Sequence, residues 1–140
     1  MAESAADDMT AGNNKAKDVY ALGAKILEAR LATLEKQKNA LDLWADAVAR
    51  SDRLAYSEPD DWLYSVRTFQ GAAQLAAHKA KAAEATYRED LRRHPNNGWS
   101  LFGLWKALQA EGKAAAAKKA KADFQAAWAK ADVKLTSSAF

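Results

Sequence analysis

Residue types that could support catalysis or metal binding are few in this chain, and their spacing is unfavourable. His78 and His94 are predicted to lie in a turn and at a helix end, without a His, Asp or Glu at ligand spacing on the same face. Ser137 and Ser138 have no neighbouring base, and the chain contains no Cys. Glycine-rich phosphate loops and nucleophile elbows are also missing from the sequence. We therefore predict a non-enzyme with no bound metal and no cofactor.

A short acidic stretch, Glu58-Pro59-Asp60-Asp61, is the next candidate for chemistry. Paired carboxylates could act as an acid and a base, but adjacent residues of a helix point in different directions. Proline is favoured at a first helical position, and acids stabilise the positive end of the helix dipole. We therefore interpret this stretch as the start of a helix at Pro59 and not as a catalytic pair.

The lysine-rich segment around Lys113, Lys118, Lys119 and Lys121 raises the alternative of a nucleic-acid or membrane surface. It lacks interleaved aromatic side chains that would stack on bases, and its apolar residues are mostly Ala, too shallow for membrane insertion. The net charge of the chain is only +3, and basic and acidic residues are mixed along most of its length. We interpret the segment as a solvated convex face, and we expect neither nucleic acid nor membrane as a partner.

Three aromatic residues, Trp99, Phe102 and Trp105, lie close together in the sequence. Aromatic residues dominate binding hot spots, but they also form cores, so both interpretations stay open. On a helix, Trp99 and Phe102 share a face, whereas Trp105 lies with a row of leucines. If any of the three is exposed, we expect it to be Trp99 or Phe102.

The elements that position these residues are predicted to be helices, because apolar residues recur at helical spacing between short polar turns. Pro95 ends one helix, Asn97 is a candidate N-cap for the next, and Gly112 suits a left-handed C-cap. The predicted helices are 15–36, 39–53, 59–77, 80–93, 98–110 and 114–131.

The last four helices repeat with a fixed period. Ala83 corresponds to Ala117, and the turn at His78 corresponds to Gly112, in both cases about 34 residues later. This period divides the chain into three repeats, 21–54, 64–97 and 98–131, with 55–63 as a linker. Together they form a helical domain over 15–131, flanked by a disordered tail at 1–14 and a C-terminal tail at 132–140.

Small residues such as Gly71, Ala40, Ala83 and Ala117 recur where helices approach, and large residues recur between pairs. The residues that carry this pattern are Leu27, Leu31, Trp44, Ala47 and Val48 in the first repeat, Tyr87, Leu91 and Pro95 in the second, and Leu101, Leu104, Leu108, Gly112 and Phe124 in the third. The pattern, with its period of about 34 residues, resembles the tetratricopeptide repeat. EPDDW followed by YREDLRRHPNNGWSLFGL resembles the closing segment of large bacterial proteins of this family. The resemblance implies an all-α fold of three antiparallel helix pairs stacked as a right-handed superhelix.

In that family the first helix of each pair lines a concave groove that binds a protein or peptide segment. The resemblance places these residues in the groove: Lys25, Ala29, Thr68, Ala72, Leu75, Trp99, Phe102, Lys106 and Gln109. Ala29 and Ala72 stand where a two-carboxylate clamp would need Asn. We therefore expect a groove with an apolar floor and with the cations of Lys25 and Lys106 at its edges. The alternative is a structural role, as a terminal cap or a self-association module of a longer repeat protein.

Several residues depart from the family pattern. Gln70 and Gln74 occupy positions that are usually apolar, so either the helix is rotated or both amides face a wet groove. Rotation would make Val66, Phe69, Ala73 and Leu75 the packing residues. Lys121 stands where an aromatic residue is usual, and Trp105 where a small residue is usual, so we expect the third repeat to close differently.

No targeting pattern is visible in the sequence. Residues 1–14 carry three acids, no basic residue and no apolar segment after them, unlike a secretory signal peptide. No stretch approaches the roughly 18 consecutive apolar residues of a membrane span. We expect a soluble, cytoplasmic protein, unless the chain is a piece of a longer exported one.

Overall fold

The computed structural model describes residues 9–58 and 60–139 of the 140-residue chain. These residues are mostly helical, as predicted, and contain one small two-stranded sheet. The chain divides into two compact units, which lie within residues 1–66 and 67–140. The elements are β1 (Thr10–Ala11), β2 (Asn14–Lys15), α1 (Ala16–Leu34), α2 (Ala40–Ser51), α3 (Val66–Ala76), α4 (Ala80–Arg93), α5 (Gly98–Ala110) and α6 (Ala114–Ala127).

Helices α1 and α2 form the core of the first unit. Ala29 and Ala47 are fully buried, and their small side chains let the two helices approach closely. The Trp44 indole is also buried and donates a hydrogen bond of 2.9 Å to Thr33 Oγ1 on α1. This bond satisfies the polar atom that a buried tryptophan brings into the core.

The first unit also orders residues that we expected to be a disordered tail. Strands β1 and β2 pair antiparallel, with Thr10 opposite Lys15. The buried Asn14 amide binds both backbone groups of Ala55, at 3.0 Å to the carbonyl and 2.7 Å from the N–H. Residues 9–14 are therefore attached to the linker, because Asn14 supplies the hydrogen bonds that an irregular segment lacks. Residues 1–8 of the predicted tail lie outside the described residues.

The predicted helix start at 59 is wrong, because α3 begins at Val66. Asp60 and Asp61 therefore do not lie in the first turn of a helix. The Asp61 carboxylate instead accepts hydrogen bonds from Asn14 Nδ2 at 2.5 Å and from Ser57 Oγ at 3.1 Å. It stabilises the contact between the N-terminal strands and the linker. Pro59 lies outside the described residues.

Two leucines of the expected repeat pattern are not core residues. Leu27 is 58% exposed and Leu31 is 48% exposed. The buried side of α1 carries Leu22, Ala29 and Ala32 instead. The prediction was wrong here because α1 is apolar on two faces, and the sequence alone does not show which face meets α2.

The core of the second unit surrounds Tyr87 of α4, whose side chain is fully buried. Gly71 of α3 and Gly103 of α5 both lie against the Tyr87 ring, and a Cβ at either glycine would come well within 3.0 Å of it. The ring therefore fills the space between two helices that each lack a side chain at the point of contact. Small residues at Ala83, Ala107 and Ala117 complete the core.

Two helix turns of the second unit are separated by the predicted repeat period. His78 and Gly112 both have positive φ, at 57° and 72°. Each turn has the two hydrogen bonds of a Schellman C-cap. The outer bond is donated by Lys79 N–H to the Gln74 carbonyl in the first turn, and by Lys113 N–H to the Leu108 carbonyl in the second. In the first unit, Lys36 has a φ of 56° and the same pair of bonds follows it. The helix-turn-helix unit therefore recurs three times in backbone geometry.

The predicted helix bounds are accurate for α4 and α5, and within two residues for α1 and α2. The Asn97 side chain caps α5 by accepting a hydrogen bond from Trp99 N–H at 3.1 Å, as predicted. Helix α6 ends at Ala127, earlier than the predicted 131. Beyond it the chain folds back, so that Ser138 of the predicted C-terminal tail is buried.

The two glutamines of α3, Gln70 and Gln74, are both half-buried. Of the four residues expected to pack in a rotated helix, Val66, Phe69 and Ala73 are buried and Leu75 is half-buried. Gln74 is half-buried, and its Oε1 accepts a hydrogen bond of 2.9 Å from Thr86 of α4.

Across residues 9–58 and 60–139, none of the helices combines the length and the apolar character needed to cross a membrane.

Candidate functional site

The most distinctive surface of the second unit comes from an exchange of large and small side chains between its two helix pairs. In the α3–α4 pair, Gly71 faces the ring of Tyr87. At the predicted repeat spacing, the corresponding positions are Trp105 on α5 and Lys121 on α6. The Lys121 ammonium lies 5.2 Å from the centre of a Trp105 ring. In both helix pairs these two positions lie close together. The aromatic side chain is on the second helix of the α3–α4 pair, where it faces a glycine, and on the first helix of the α5–α6 pair, where it faces a lysine.

A cleft of about 390 Å³ lies between α5 and α6. Trp105 is half-buried and forms the apolar wall of the cleft, while Lys118 and Lys121 are exposed on α6. The full lining is Trp105, Gln109, Gly112, Ala114, Ala117, Lys118 and Lys121. A ligand in this cleft would meet one large aromatic side chain, one amide and two cations.

Trp105 is one of five aromatic side chains that form a cluster on α5, on α6 and just beyond α6. Its ring is stacked with Phe124 at 6.2 Å, and it lies edge-on to Phe102 at 5.6 Å. The Phe124 ring is also stacked with Trp128, with 6.0 Å between ring centres, and Trp128 lies edge-on to Trp99 at 5.6 Å. Offset and edge-on ring pairs of this kind are favourable and fix side-chain orientation. The Trp105 wall is therefore preorganised.

Three lysines lie close to Trp105. Lys106 Nζ lies 4.2 Å from a Trp105 ring centre, nearer than the Lys121 ammonium, and Lys118 stands at the rim of the cleft. Elsewhere on this face, Lys113 is paired with Glu84 at 2.6 Å and Lys119 with Asp123 at 2.8 Å. Within the described ranges, Lys106, Lys118 and Lys121 have no ion-pair partner. Their charge is therefore available to a ligand, and it favours an anionic one.

The structure separates the predicted groove residues into three groups. Gln109 is exposed and lines the cleft, while Lys106 is half-buried and lies against the Trp105 ring. Trp99, Ala72 and Leu75 are half-buried, with Leu75 packed against the core. Thr68, Phe102 and Ala29 are buried, so we correct the expectation that they line a surface.

Lys25 belongs to the first unit. Its ammonium pairs with Glu28 at 2.6 Å and with Asp46 at 3.5 Å. The hydrogen bond to Glu28 raises the pKa of Lys25, and the negative charges of Glu28 and Asp46 act in the same direction. Lys25 is thus engaged within its own unit.

Sequence reasoning missed Trp105, Lys118 and Lys121 as candidate ligand contacts. We expected Trp99 or Phe102 to be exposed if any of the three aromatics is. Phe102 is buried, Trp99 and Trp105 are both half-buried, and Trp105 lines the cleft. The signal was present in the two departures from the repeat pattern at Trp105 and Lys121. At the predicted repeat spacing, Trp105 and Lys121 correspond to Gly71 and Tyr87. The two departures therefore indicate one altered contact between neighbouring helices and not two unrelated exceptions.

The two histidines do not form a metal site. The expectation that neither histidine has an acid at ligand spacing on its own face was wrong for His94, whose Nδ1 lies 3.0 Å from the Asp90 carboxylate. His78 occupies the α3–α4 turn. Within residues 9–58 and 60–139, no group of three or more His, Cys, Asp or Glu side chains is arranged to hold a metal ion.

Comparison with protein-family models, with curated proteins and with solved structures finds no match to this chain.

Proposed function

We propose that this chain is a non-catalytic interaction module that binds an acidic segment of a partner protein in the cleft between α5 and α6. The observation that carries the proposal is the placement of Trp105 beside the cations of Lys106 and Lys121, at a cleft of about 390 Å³. Tryptophan is enriched in binding hot spots, and uncompensated lysines favour carboxylates. A segment with Asp or Glu beside apolar residues would satisfy both parts of the cleft.

A tetratricopeptide-like architecture is part of the same proposal. Support comes from the three helix turns with one hydrogen-bond pattern, two of which are separated by a single repeat period, and from the buried Ala83 and Ala117 at equivalent positions. Helical repeats of this kind serve as binding scaffolds because each pair presents a helix face beside its neighbours. Under this proposal the helix pairs stack as a right-handed superhelix.

The test is a titration of the full chain with a short peptide that alternates Glu with Leu and Ala, followed by the indole N–H resonances of the five tryptophans in NMR spectra. We expect the Trp105 resonance to shift first, and binding to weaken as salt is raised. A matched peptide with Gln in place of every Glu should bind about 10-fold more weakly or not at all.

Two variants locate the site. Trp105→Leu should weaken binding of the acidic peptide by about 10-fold or more, as expected for a hot-spot aromatic. Lys121→Gln should weaken it by a smaller factor, whereas Lys119→Gln is the matched control because Lys119 is already paired with Asp123. Equal effects of the two lysine variants, or tighter binding of a single-stranded oligonucleotide than of the peptide, would contradict the proposal.

A further inference from the structure

Helix α1 has an apolar face that no described residue covers. Tyr20 is 51% exposed and Leu34 is 71% exposed, and Leu27 and Leu31 lie between them with about half of their surface accessible. The opposite side of α1, with Leu22 and Ala29, is fully buried within the first unit. The exposed side chains, together with Ala24, form what we call the leucine stripe: Tyr20, Ala24, Leu27, Leu31 and Leu34.

The stripe follows the period of a coiled-coil seam. Its residues are separated by four, three, four and three positions, which is the alternation of the a and d positions of a heptad repeat. Ala24 and Leu31 take position a, and Tyr20, Leu27 and Leu34 take position d. Because α1 is continuous from Ala16 to Leu34, these side chains lie along one line of about 21 Å.

The charges beside the stripe favour one arrangement of two helices. In this register Arg30 takes position g and Glu35 takes position e of the following heptad, and both side chains are exposed. In a parallel pair, position g of one helix faces position e of the next heptad in the other. Each Arg30 would therefore face a Glu35 of the second copy, twice per dimer. An antiparallel pair would place e opposite e, and thus Glu28 and Glu35 against other glutamates.

We propose that two copies of this chain associate in parallel along the leucine stripe of α1, with Arg30 of each copy facing Glu35 of the other. The pairing buries the apolar side chains that the first unit leaves accessible to water, and the stripe contains no residue of the α5–α6 cleft. With two heptads and four large side chains, the contact is smaller than a standard interface of about 800 Å² per partner, so the dimer is expected to be weak.

The test is sedimentation velocity of the full chain from about 1 µM to about 1 mM, the range over which weak complexes dissociate. The wild type should shift from the monomer mass towards twice that mass. Leu31→Ser should raise the dissociation constant by about 10-fold or more. Leu63→Ser is the matched control, since Leu63 is 84% exposed and lies outside the stripe, and it should leave the constant unchanged.

A charge exchange tests the orientation. Arg30→Glu should weaken the dimer, because it places a glutamate opposite Glu35, and the double variant Arg30→Glu, Glu35→Arg should restore it. Circular dichroism of each variant verifies that α1 stays folded. A wild type that stays monomeric throughout, a dimer that is insensitive to Leu31→Ser, or a double variant that fails to restore pairing would overturn the proposal. None of these outcomes bears on the acidic-peptide titration, which monitors Trp105 in the other unit.

Discussion

The hydroxyl oxygen of Tyr87 lies 2.5 Å from that of Ser138, 51 residues further along the chain, and both side chains are buried. Ser138 also donates to the backbone carbonyl of Thr68 at 3.2 Å. Burial raises the pKa of Tyr87 well above its ordinary value, so its hydroxyl stays protonated even in alkaline solution and can donate to Ser138. A residue beyond the last helix therefore completes the hydrogen bonding of the core tyrosine.

Ser138→Ala should destabilise the second unit by about 1–3 kcal/mol, because it leaves the buried Tyr87 hydroxyl without this partner. Thr136→Ala, at an exposed position two residues earlier, should change stability by less than about 0.5 kcal/mol. Urea denaturation of the two variants beside the wild type measures the difference. Equal stabilities for the two would show that the C-terminal segment does not support the core.

Gly103→Ala should destabilise the chain, although Ala is the better helix former by about 1 kcal/mol. The added Cβ would meet the ring of Tyr87, which is itself enclosed by Gly71 on the other side. Overpacking of this kind costs about 1–3 kcal/mol. Thermal unfolding should show a smaller loss when Gly103→Ala is introduced into a Tyr87→Leu background. An equal loss in both backgrounds would locate the strain elsewhere.

Asp90→Asn should destabilise the connection between α4 and α5. The Asp90 carboxylate is fully buried and accepts hydrogen bonds from Ser100 Oγ at 2.5 Å and from Asn97 Nδ2 at 2.8 Å. Both donors bind the same oxygen, Oδ2, while His94 Nδ1 lies 3.0 Å from Oδ1. An amide keeps the shape of the side chain but removes the negative charge that strengthens these hydrogen bonds. Since hydrogen bonds to a charged group contribute about 1.5–3 kcal/mol each, we expect a loss of that order in chemical denaturation. Asp123→Asn, on the surface of α6, is the control and should have little effect.

The ion pair between Glu84 of α4 and Lys113 should make stability depend on acid pH. The hydrogen bond from Lys113, followed by that from Arg88, lowers the pKa of Glu84 from 4.5 to about 2. Because the folded state holds this carboxylate ionised, the stabilisation is complete above pH 4.5 and is lost as the pH falls towards 2. Lys113 and Arg88 are about half exposed, so we expect a contribution of about 1 kcal/mol at most.

Glu84→Gln provides the measurement for this pair. The difference in unfolding free energy between the wild type and the variant should be constant above about pH 5 and should shrink towards zero near pH 2. Glu89→Gln is the comparison, because Glu89 pairs with Arg92 and Arg93 of the same helix and links no second element. A difference that grows on acidification would have the wrong sign for this explanation.

Asn14→Ala should release the N-terminal strands from the linker. The substitution removes the side-chain bonds to Ala55 and Asp61, which span 41 and 47 residues. We expect a loss of about 1–3 kcal/mol in the local stability of this contact, measured by hydrogen exchange of the Ala55 amide. Thr10→Ala, at an exposed strand position, should leave that amide protected. If Ala55 exchanges at the same rate in both variants, the Asn14 side chain does not hold the two segments together.

Much of the helical framework could be predicted from the sequence, because its signals are local. The bounds of α4 and α5, the cap at Asn97 and the turn at Gly112 each depend on residues within a few positions. The start of α3 could not be predicted in this way. A proline followed by two acids suits a helix N-terminus, but Asp61 makes its contacts with Asn14, which is remote in the sequence.

The candidate site was predictable only in part. Gln109 lines the cleft, and Lys106 lies against the Trp105 ring. Phe102 and Thr68 are buried, because helical spacing identifies a face but not what covers it. The roles of Trp105 and Lys121 depend on a contact between two helices, which no single periodic pattern reports.

By itself, the sequence determined the all-α class, most of the helix limits and the periodic recurrence of turns and small side chains, since these follow from the propensity and spacing of neighbouring residues. Only the tertiary structure decided which face of α1 is buried, that Ser138 closes on Tyr87, and that Trp105 stands beside Lys121. Each of these features depends on contacts between side chains that are distant in the sequence. Such contacts form only when the helices pack, so local sequence patterns do not report them.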